Sequence, residues 1–462
     1  MPPDYTGPPS TCRPSPMMQL DPERNSSRSQ PAAPPTFTEA LWEWARIGIL
    51  SFGGPTAQIA LMHRELVERR PWLDEAGFLR ALSFCMLLPG PEAMQLATYA
   101  GWRLHGVAGG LAAGLLFVLP GAIAVLLLAL VYSLFGNVPL IEAVFLGIKA
   151  AVVVIVIQAL LSISKRALRS TAYWVLAGLS FAGIFFFALP FPVIIALAAA
   201  WGFFFADARA PAEAPAAASA APPQISLSGT LTTVLTWLAI WWLPIAALAA
   251  IVGPDHILTG LALFFSKLAV VTFGGAYAVL AYMAETVVTR YGWVEAGQML
   301  DGLGLAETTP GPLILVTEFI GYLAAFRQGG ASPVLMGLAG AAVTLWVTFT
   351  PCFLWIFAGA PYIEWLNTRP RLRTALGAIT AAVVGVILNL AIWFALHVFF
   401  AVVNQVHTGS LRVWLPDVAT LDLRVTAIAI LAAVLLIWRR WSIPPVLGLA
   451  GLAAVVLSLA DP

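Results

Sequence analysis

A series of long apolar stretches, separated by short polar segments, constrains the fold of this chain more than any other feature. Most of them could cross about 30 Å of hydrocarbon as a helix that rises about 1.5 Å per residue. Charged residues make up only 10% of the chain, against about a quarter in soluble domains. We therefore predict an all-α, polytopic membrane protein. The clearest stretches are Gly110–Leu134, Leu140–Ile163, Thr171–Leu189, Phe191–Phe205, Leu231–Val252, Val334–Ala358, Ala375–Phe399, Val425–Trp438 and Pro445–Leu459.

The chain also repeats itself. The segment Phe52–Pro91 aligns without a gap with Phe273–Pro312, and both begin with Phe-Gly-Gly and end with Pro-Gly-Pro. Further along, Gly147–Leu160 resembles Gly377–Leu390. Two Gly/Pro signatures at the same separation are hard to explain by chance in a sequence rich in Ala and Leu. The chain is therefore predicted to consist of two homologous halves.

This repetition divides the chain into four parts. Residues 1–36 are rich in Pro, Ser and Arg and are expected to form a disordered cytoplasmic tail. Residues 37–206 and 256–462 are the two repeats, and residues 207–255 hold an Ala/Pro-rich linker and a connecting transmembrane helix. One extra crossing between similar halves would invert the second half, which predicts about six, one and six hydrophobic units. Parallel halves are the alternative, because the bias of Lys and Arg between loops weakens in the second half.

Gly and Pro interrupt the helical pattern at equivalent places in both repeats, and we call these places the breaks. Pro lacks an amide donor and Gly has a low helix propensity, so both end helices. In lipid, unpaired backbone groups must be buried in protein or line a wet cavity. A helix that restarts after a break directs free amides and the positive end of its dipole at the gap. The breaks therefore predict broken or re-entrant helices that form an anion site near the middle of the membrane; simple kinks are the alternative.

The candidate substrate-binding residues are those of the breaks and the polar side chains near them. Glu92 either caps the helix that restarts there or carries a proton beside the anion, and Gln95 could donate to an oxyanion. Lys149 lies in an apolar run, where it either binds substrate or snorkels, or has Glu142 as its neighbour. Lys267 lies one turn before the second Phe-Gly-Gly and could line the same cavity. Glu307 precedes the second Pro-Gly-Pro, whereas Glu92 follows the first. The full set is Phe52, Gly53, Gly54, Pro55, Pro89, Gly90, Pro91, Glu92, Gln95, Lys149, Lys267, Phe273, Gly274, Gly275, Thr309, Pro310, Gly311 and Pro312, with Asp301 and Glu318 as weaker candidates.

Cysteine usage, charge and motif content argue against several other classes of protein. Cys12, Cys85 and Cys352 are scattered, without a CxxC pair or a histidine at metal-ligand spacing, so we expect no metal and no cofactor. The net charge of +1 gives no reason to expect nucleic-acid binding. The chain has no GxxxxGK[ST] motif and therefore encodes no P-loop ATPase.

Several motifs carry a resemblance to one family. They read FGGP at residues 52–55, LPGPEAMQLATYAGWRLHG at 88–106, LPG at 119–121, VVTFGG at 270–275 and ETTPGP at 307–312. In these motifs the chain resembles the chromate ion transporter family in its long, two-domain form. The resemblance implies efflux of chromate, resistance to chromate and two homologous domains of opposite orientation. Ala276 stands where the first repeat has Pro55, so the two sites are not equivalent and the first half is expected to handle more of the anion.

We therefore expect a non-enzymatic exporter of chromate in the bacterial plasma (inner) membrane, driven by the membrane potential, by proton antiport or by both. Moving this dianion out of a negative interior gains about 4.6 kcal/mol per 100 mV, twice the value for one charge. The expected partners are chromate and the lipid bilayer, with sulfate as an analogue; a homodimer is an open alternative to a monomer. A sulfate importer or exchanger and an anion channel are the alternative functions. A membrane-embedded chromate reductase is disfavoured because the sequence has no haem, flavin or metal motif.

Overall fold

The computed structural model of the chain is almost entirely helical where it is described. It describes residues 35–136, 138–205, 226–273, 276–363, 369–409 and 411–460. The predicted tail, except for its last residues, and the predicted Ala/Pro-rich linker lie outside the described residues. Gly274 and Gly275, two of the predicted site residues, also lie outside them.

The first repeat begins at a capping box, in which the Thr36 side chain accepts from the Glu39 N–H and the Glu39 side chain accepts in return. The second helix continues into a π-helical turn at Arg64–Arg69. The fourth helix leaves helical geometry at His105 and Gly106 and folds back on itself. Its helices are α1 Phe37–Leu50, α2 Gly54–His63, α3 Glu75–Cys85, α4 Glu92–Phe135, α5 Pro139–Ala167, α6 Thr171–Phe187 and α7 Phe191–Phe204.

The second repeat has the same order of elements and follows a connecting helix, α8 Leu227–Val252. Two of its helices, α12 and α13, correspond together to the kinked α4, and α10 continues into a π-helical turn at Thr286–Arg290 as α2 does at its end. The repeat in the sequence is therefore also a repeat in structure. Its helices are α9 Ile257–Val271, α10 Ala276–Glu285, α11 Ala296–Thr308, α12 Val316–Arg327, α13 Pro333–Gly359, α14 Pro370–Phe399, α15 Leu423–Ala433 and α16 Ile443–Ala460.

The lengths and composition of the helices suit a membrane. Six helices in the described ranges are long and apolar enough to cross one, namely α4, α5, α8, α13 with the turn after it, α14 and α16. Four further apolar helices are shorter, namely α6, α7, α9 and α15 with the π-helical turn after it. The prediction of a polytopic helical membrane protein is confirmed.

One element was not predicted from the sequence. Two strands, β1 Val403–Thr408 and β2 Leu411–Pro416, pair antiparallel after α14. Gly409 has a φ of 61° in the turn between them, which glycine adopts without strain. Arg412 of β2 donates to the Glu285 carboxylate at 2.8 Å and fixes the hairpin to the end of α10. The segment is short and lies between two longer apolar runs, a pattern that predicts only a loop.

The two repeats exchange helices rather than lie side by side. In the packing, α5 contacts α15 and α16 of the second repeat, whereas α14 contacts α6 and α7 of the first. The helices α5 and α14 also pack on each other. We call these six helices the exchanged bundle. The remaining helices of each repeat, α1–α4 and α9–α13, surround the breaks.

Candidate functional site

The Pro-Gly-Pro loop of each repeat touches the break of the other repeat. The Gly90 N–H donates to the Thr272 carbonyl oxygen at 2.8 Å, and the Gly311 N–H donates to the Ser51 carbonyl oxygen at 2.8 Å. Gly90 and Gly311 are equivalent residues of the two repeats, as are Ser51 and Thr272. Such reciprocal contacts are what a twofold relation between the halves produces. They bring both loops and both breaks to one place.

The backbone geometry explains why glycine occupies these positions. Gly53, Gly54, Gly90 and Gly311 all have positive φ angles, between 77° and 121°, which side chains with a Cβ adopt only with strain. At Gly90 an added Cβ would also lie 2.8 Å from Gln95 Nε2 and 3.0 Å from a cysteine sulfur. The path of the chain through the breaks therefore requires glycine at these positions. A simple kink in a continuous helix would not require it.

Two buried glutamines, both from the first repeat, hold the loops together. Gln58 Nε2 donates to the carbonyl oxygens of Gly311 at 2.6 Å and Ser51 at 3.1 Å. Gln95 Nε2 donates to the Pro89 carbonyl oxygen at 2.7 Å. The Oε1 atoms of both side chains are buried without a hydrogen-bond partner among the described residues. The first repeat thus supplies side-chain amides, whereas the counterpart of Gln58 in the second repeat is Val279.

Gln58 was missed at the level of sequence. The signal that could have found it is a lone amide in an otherwise apolar helix just after the Phe-Gly-Gly motif, at a position where the other repeat has a valine. Polar groups inside a membrane helix mark functional positions, and Gln58 is such a group.

The helices that restart at the breaks begin without a side-chain cap. Gly53 precedes α2, Pro91 precedes α4, and Pro312 precedes the short turn that leads into α12; the side chain of none of the three caps the helix. The first backbone N–H groups of a helix have no partner within the helix. Uncapped helix starts are therefore suited to bind an anion.

The predicted break residues lie together at this site, but their exposure differs between the two halves. Phe52 and Gly53 are exposed, Gly54 and Pro55 are half-buried, and Phe273 is half-buried. Glu92 is half-buried at the first residue of α4, and its Oε2 atom is buried without a hydrogen-bond partner in the described part of the chain. The buried members are Pro89, Gly90, Pro91, Gln95, Thr309, Gly311 and Pro312, and Pro310 is half-buried.

The two predicted lysines contact residues outside the breaks. Lys149 Nζ lies 3.3 Å from Asp301 Oδ2 on α11, and the Tyr132 hydroxyl donates to the same oxygen at 2.8 Å. Asp301 is therefore the ionic partner, in place of Glu142 on the same helix as Lys149. Asp301 precedes Thr309 by eight residues, about 12 Å at about 1.5 Å per residue. Lys267 is exposed, with its ammonium 5.9 Å from the centre of the Tyr282 ring.

Two other buried carboxylates, Glu307 and Glu318, lie close to the second Pro-Gly-Pro loop along the chain. Glu307 accepts a hydrogen bond from the Tyr277 hydroxyl at 2.6 Å. Glu318 is fully buried, and both of its carboxylate oxygens lack a hydrogen-bond partner among the described residues. Buried membrane carboxylates of this kind serve proton relays in pumps and transporters. Within the described ranges, no three His, Cys, Asp or Glu side chains are grouped closely enough to hold a metal ion.

Comparison with known proteins gives one consistent result. The family model described as chromate transporter matches residues 38–203 and 259–457. A chromate transport protein of Cupriavidus metallidurans is 31% identical over 78% of this chain and 84% of its own length. A chromate transport protein of Pseudomonas aeruginosa is 31% identical over 79% of this chain and 83% of its own length. An uncharacterized transporter of Methanocaldococcus jannaschii is 25% identical over 82% of this chain and 89% of its own length. No solved structure gives a significant match.

Proposed function

Because the chain belongs to the chromate transporter family, we propose that it exports chromate from the cytoplasm and thereby confers resistance to chromate. It is a membrane transporter with two related halves. The observation that carries the proposal is the reciprocal pair of hydrogen bonds that joins each Pro-Gly-Pro loop to the break of the other repeat. Through these bonds, the Pro-Gly-Pro loops and the breaks of both halves meet at one place.

The site suits an oxyanion because it offers donors without a fixed positive charge. The oxygens of chromate accept hydrogen bonds, and backbone N–H groups at helix starts point the positive end of the dipole at such a ligand. The buried side chains of Gln58 on α2 and Gln95 on α4 hold the loops in place, because their Nε2 atoms donate to carbonyl oxygens of the loops and the first break. A site built from dipoles binds a dianion and still releases it, since no permanent ion pair has to be broken.

The membrane potential is a sufficient driving force. Outward movement of two negative charges gains about 4.6 kcal/mol per 100 mV, which corresponds to a gradient of roughly a thousandfold at about 1.4 kcal/mol per decade. Proton antiport is the second route that we propose, with Glu92, Glu307 or Glu318 as the proton carrier. Glu92 is half-buried, Glu307 and Glu318 are buried, and all three are close to the Pro-Gly-Pro loops along the chain.

For the arrangement in the cell, we propose two inverted repeats at residues 37–206 and 256–462, joined through residues 207–255, in a bacterial plasma membrane. Support comes from the repeated order of the helices on the two sides of α8. The two segments matched by the family model lie inside these repeats. A half with an even number of crossings, such as the six predicted here, begins and ends on the same side of the membrane, so a single helix between two such halves gives them opposite orientations.

Transport into everted membrane vesicles tests the proposal. Vesicles that contain the protein should accumulate labelled chromate without ATP when their interior is made positive, and vesicles without it should not. A dependence of uptake on an imposed pH gradient at fixed voltage would identify proton antiport. If the vesicles take up sulfate faster than chromate, the protein is a sulfate transporter and the proposed export of chromate is wrong. A flux that does not saturate with chromate would indicate a channel, and chromium reduced without accumulation would indicate an enzyme.

A further inference from the structure

The equivalent hairpins α2–α3 and α10–α11 differ in burial. One side of the first hairpin, which we call the open face, is exposed and consists of Thr56, Ala60, Leu79, Arg80, Ser83 and Met86. The counterparts of these residues are buried or half-buried, and they are Tyr277, Ala281, Leu300, Asp301, Gly304 and Glu307. The sequence of the two hairpins is related, so the difference arises from what covers them.

The exchanged bundle covers the second hairpin. Lys149 of α5 forms its ion pair with Asp301 of α11. A Cβ added to Gly304 would overlap the Ile148 side chain, so the backbone of α11 touches α5 directly. Ala281 of α10 and Leu390 of α14 line one small cavity. This interface is closed.

The equivalent interface on the first hairpin is open on both of its sides. By the alignment of the two repeats, the counterpart of Leu390 is Leu160, on the C-terminal half of α5. Leu390 is buried, whereas Leu160 is half-exposed and the adjacent Leu161 is exposed. Ala60, the counterpart of Ala281, is exposed as well. The structure therefore holds one hairpin closed and the other open.

The chemistry of the open face suits water rather than lipid. Arg80 is exposed, and its nearest acidic partner is Asp74 at 4.0 Å. Arginine on a lipid-facing helix surface is costly, and Ser83 lies one turn further along the same face of α3. Met86 follows at the same spacing, just before the Pro89–Pro91 loop. The open face thus extends along α3 from the charged side chain of Arg80 to the Pro89–Pro91 loop at the breaks.

We propose that the open face lines the path by which the oxyanion reaches the breaks, and that Arg80 attracts the anion into this path. In the opposite state, α5 and α14 close over α2–α3 as they close over α10–α11 here, and the Lys149–Asp301 ion pair opens. The physical reason is that two related halves can exchange their conformations and so expose the site to the other side of the membrane. This inference rests on the proposed function for the identity of the anion, but the movement itself does not.

Thiol labelling tests the path with a matched pair of variants, Ala60→Cys and Ala281→Cys. Cys85 and Cys352 are buried, and Cys12 lies outside the described residues, so a Cys12→Ser chain without an introduced cysteine serves as the background. A negatively charged methanethiosulfonate should modify Ala60→Cys at least tenfold faster than Ala281→Cys, and chromate should slow the reaction. Equal rates for the two positions, or no reaction at Ala60→Cys, would overturn the proposal.

The role of Arg80 is tested by charge selectivity. In the Ala60→Cys background, Arg80→Gln should slow the anionic reagent severalfold and accelerate a cationic reagent of the same size. A structural effect of the substitution would change both rates in the same direction and would remove Arg80 from the path.

Cross-linking tests the movement. A short bifunctional thiol reagent should bridge Ala281→Cys with Leu390→Cys, and in a separate variant Ala60→Cys with Leu160→Cys; each bridge should block transport. If only the first pair is bridged, the exchange of states is wrong. Bridging is measured by a gel shift and does not depend on chromate. If both variants form their bridges but neither transports chromate before cross-linking, chromate is not the substrate, whereas the movement is supported.

Discussion

Gly90 and Thr272 belong to different repeats, and the N–H of Gly90 donates to the carbonyl oxygen of Thr272 at 2.8 Å. The equivalent bond from Gly311 to Ser51 has the same length. Each repeat therefore completes the break of the other, and a change in one loop is expected to affect both halves.

Substitution of Gly90 by alanine should reduce chromate transport at least tenfold while the protein remains in the membrane. The φ of 121° is unfavourable for alanine, and the new Cβ would approach Gln95 and Cys352 to about 3 Å; strain of this kind costs about 1–3 kcal/mol. Gly178→Ala is the control, because a Cβ there meets no atom within 4 Å. Transport by Gly90→Ala equal to that of the control would show that the loop geometry is not needed.

Substitution of Gln58 by leucine should lower the melting temperature and impair transport. It removes the donor that bridges the carbonyl oxygens of Ser51 and Gly311, and the loss of a buried hydrogen-bond partner costs about 1–3 kcal/mol. Thermal unfolding of the purified protein in detergent measures the effect. The exposed Gln328 offers a control, since Gln328→Leu should leave the melting temperature nearly unchanged. Equal melting temperatures for the two variants would contradict the bridging role.

The Lys149–Asp301 pair should behave as a coupled unit in a double-mutant cycle. Lys149→Met leaves the buried Asp301 carboxylate without its cation and should destabilise the protein by about 3 kcal/mol. Asp301→Asn should cost less, because the Lys149 side chain is 24% exposed and can still reach water. The double variant should be more stable than Lys149→Met alone. Additive effects in unfolding experiments would contradict the coupling, and Arg439→Met, at an exposed position, is the control.

The two halves should face opposite sides of the membrane. Asp74 and Glu295 are equivalent residues at the starts of α3 and α11, with side chains 74% and 72% exposed. An impermeant thiol reagent should label Asp74→Cys and Glu295→Cys from opposite sides when intact cells are compared with everted vesicles. Labelling of both variants from the same side would establish parallel halves instead.

Sequence patterns predicted the features that depend on neighbouring residues. Apolar runs identified the membrane helices, because a helix in lipid must be apolar over its whole length. Phe52–Pro91 and its repeat showed the breaks, because Gly and Pro act on the backbone where they stand. The hairpin β1–β2 was not predicted, because its residues show no long periodic pattern of apolar side chains.

Contacts between distant parts of the chain were decided only by the tertiary structure. Lys149 was recognised as a charge that needs a partner, but Asp301 could not be chosen over Glu142 without the packing of α5 on α11. Likewise, the role of Gln58 depends on its hydrogen bond to Gly311 in the loop of the other repeat, 253 positions away in the sequence. The amino-acid sequence determined where each helix begins and ends, because these positions depend on the conformational preferences of nearby residues and on how well their side chains are solvated by lipid or water. The packing of the two similar halves decided the rest. It determined which breaks lie next to each other and which hairpin is covered.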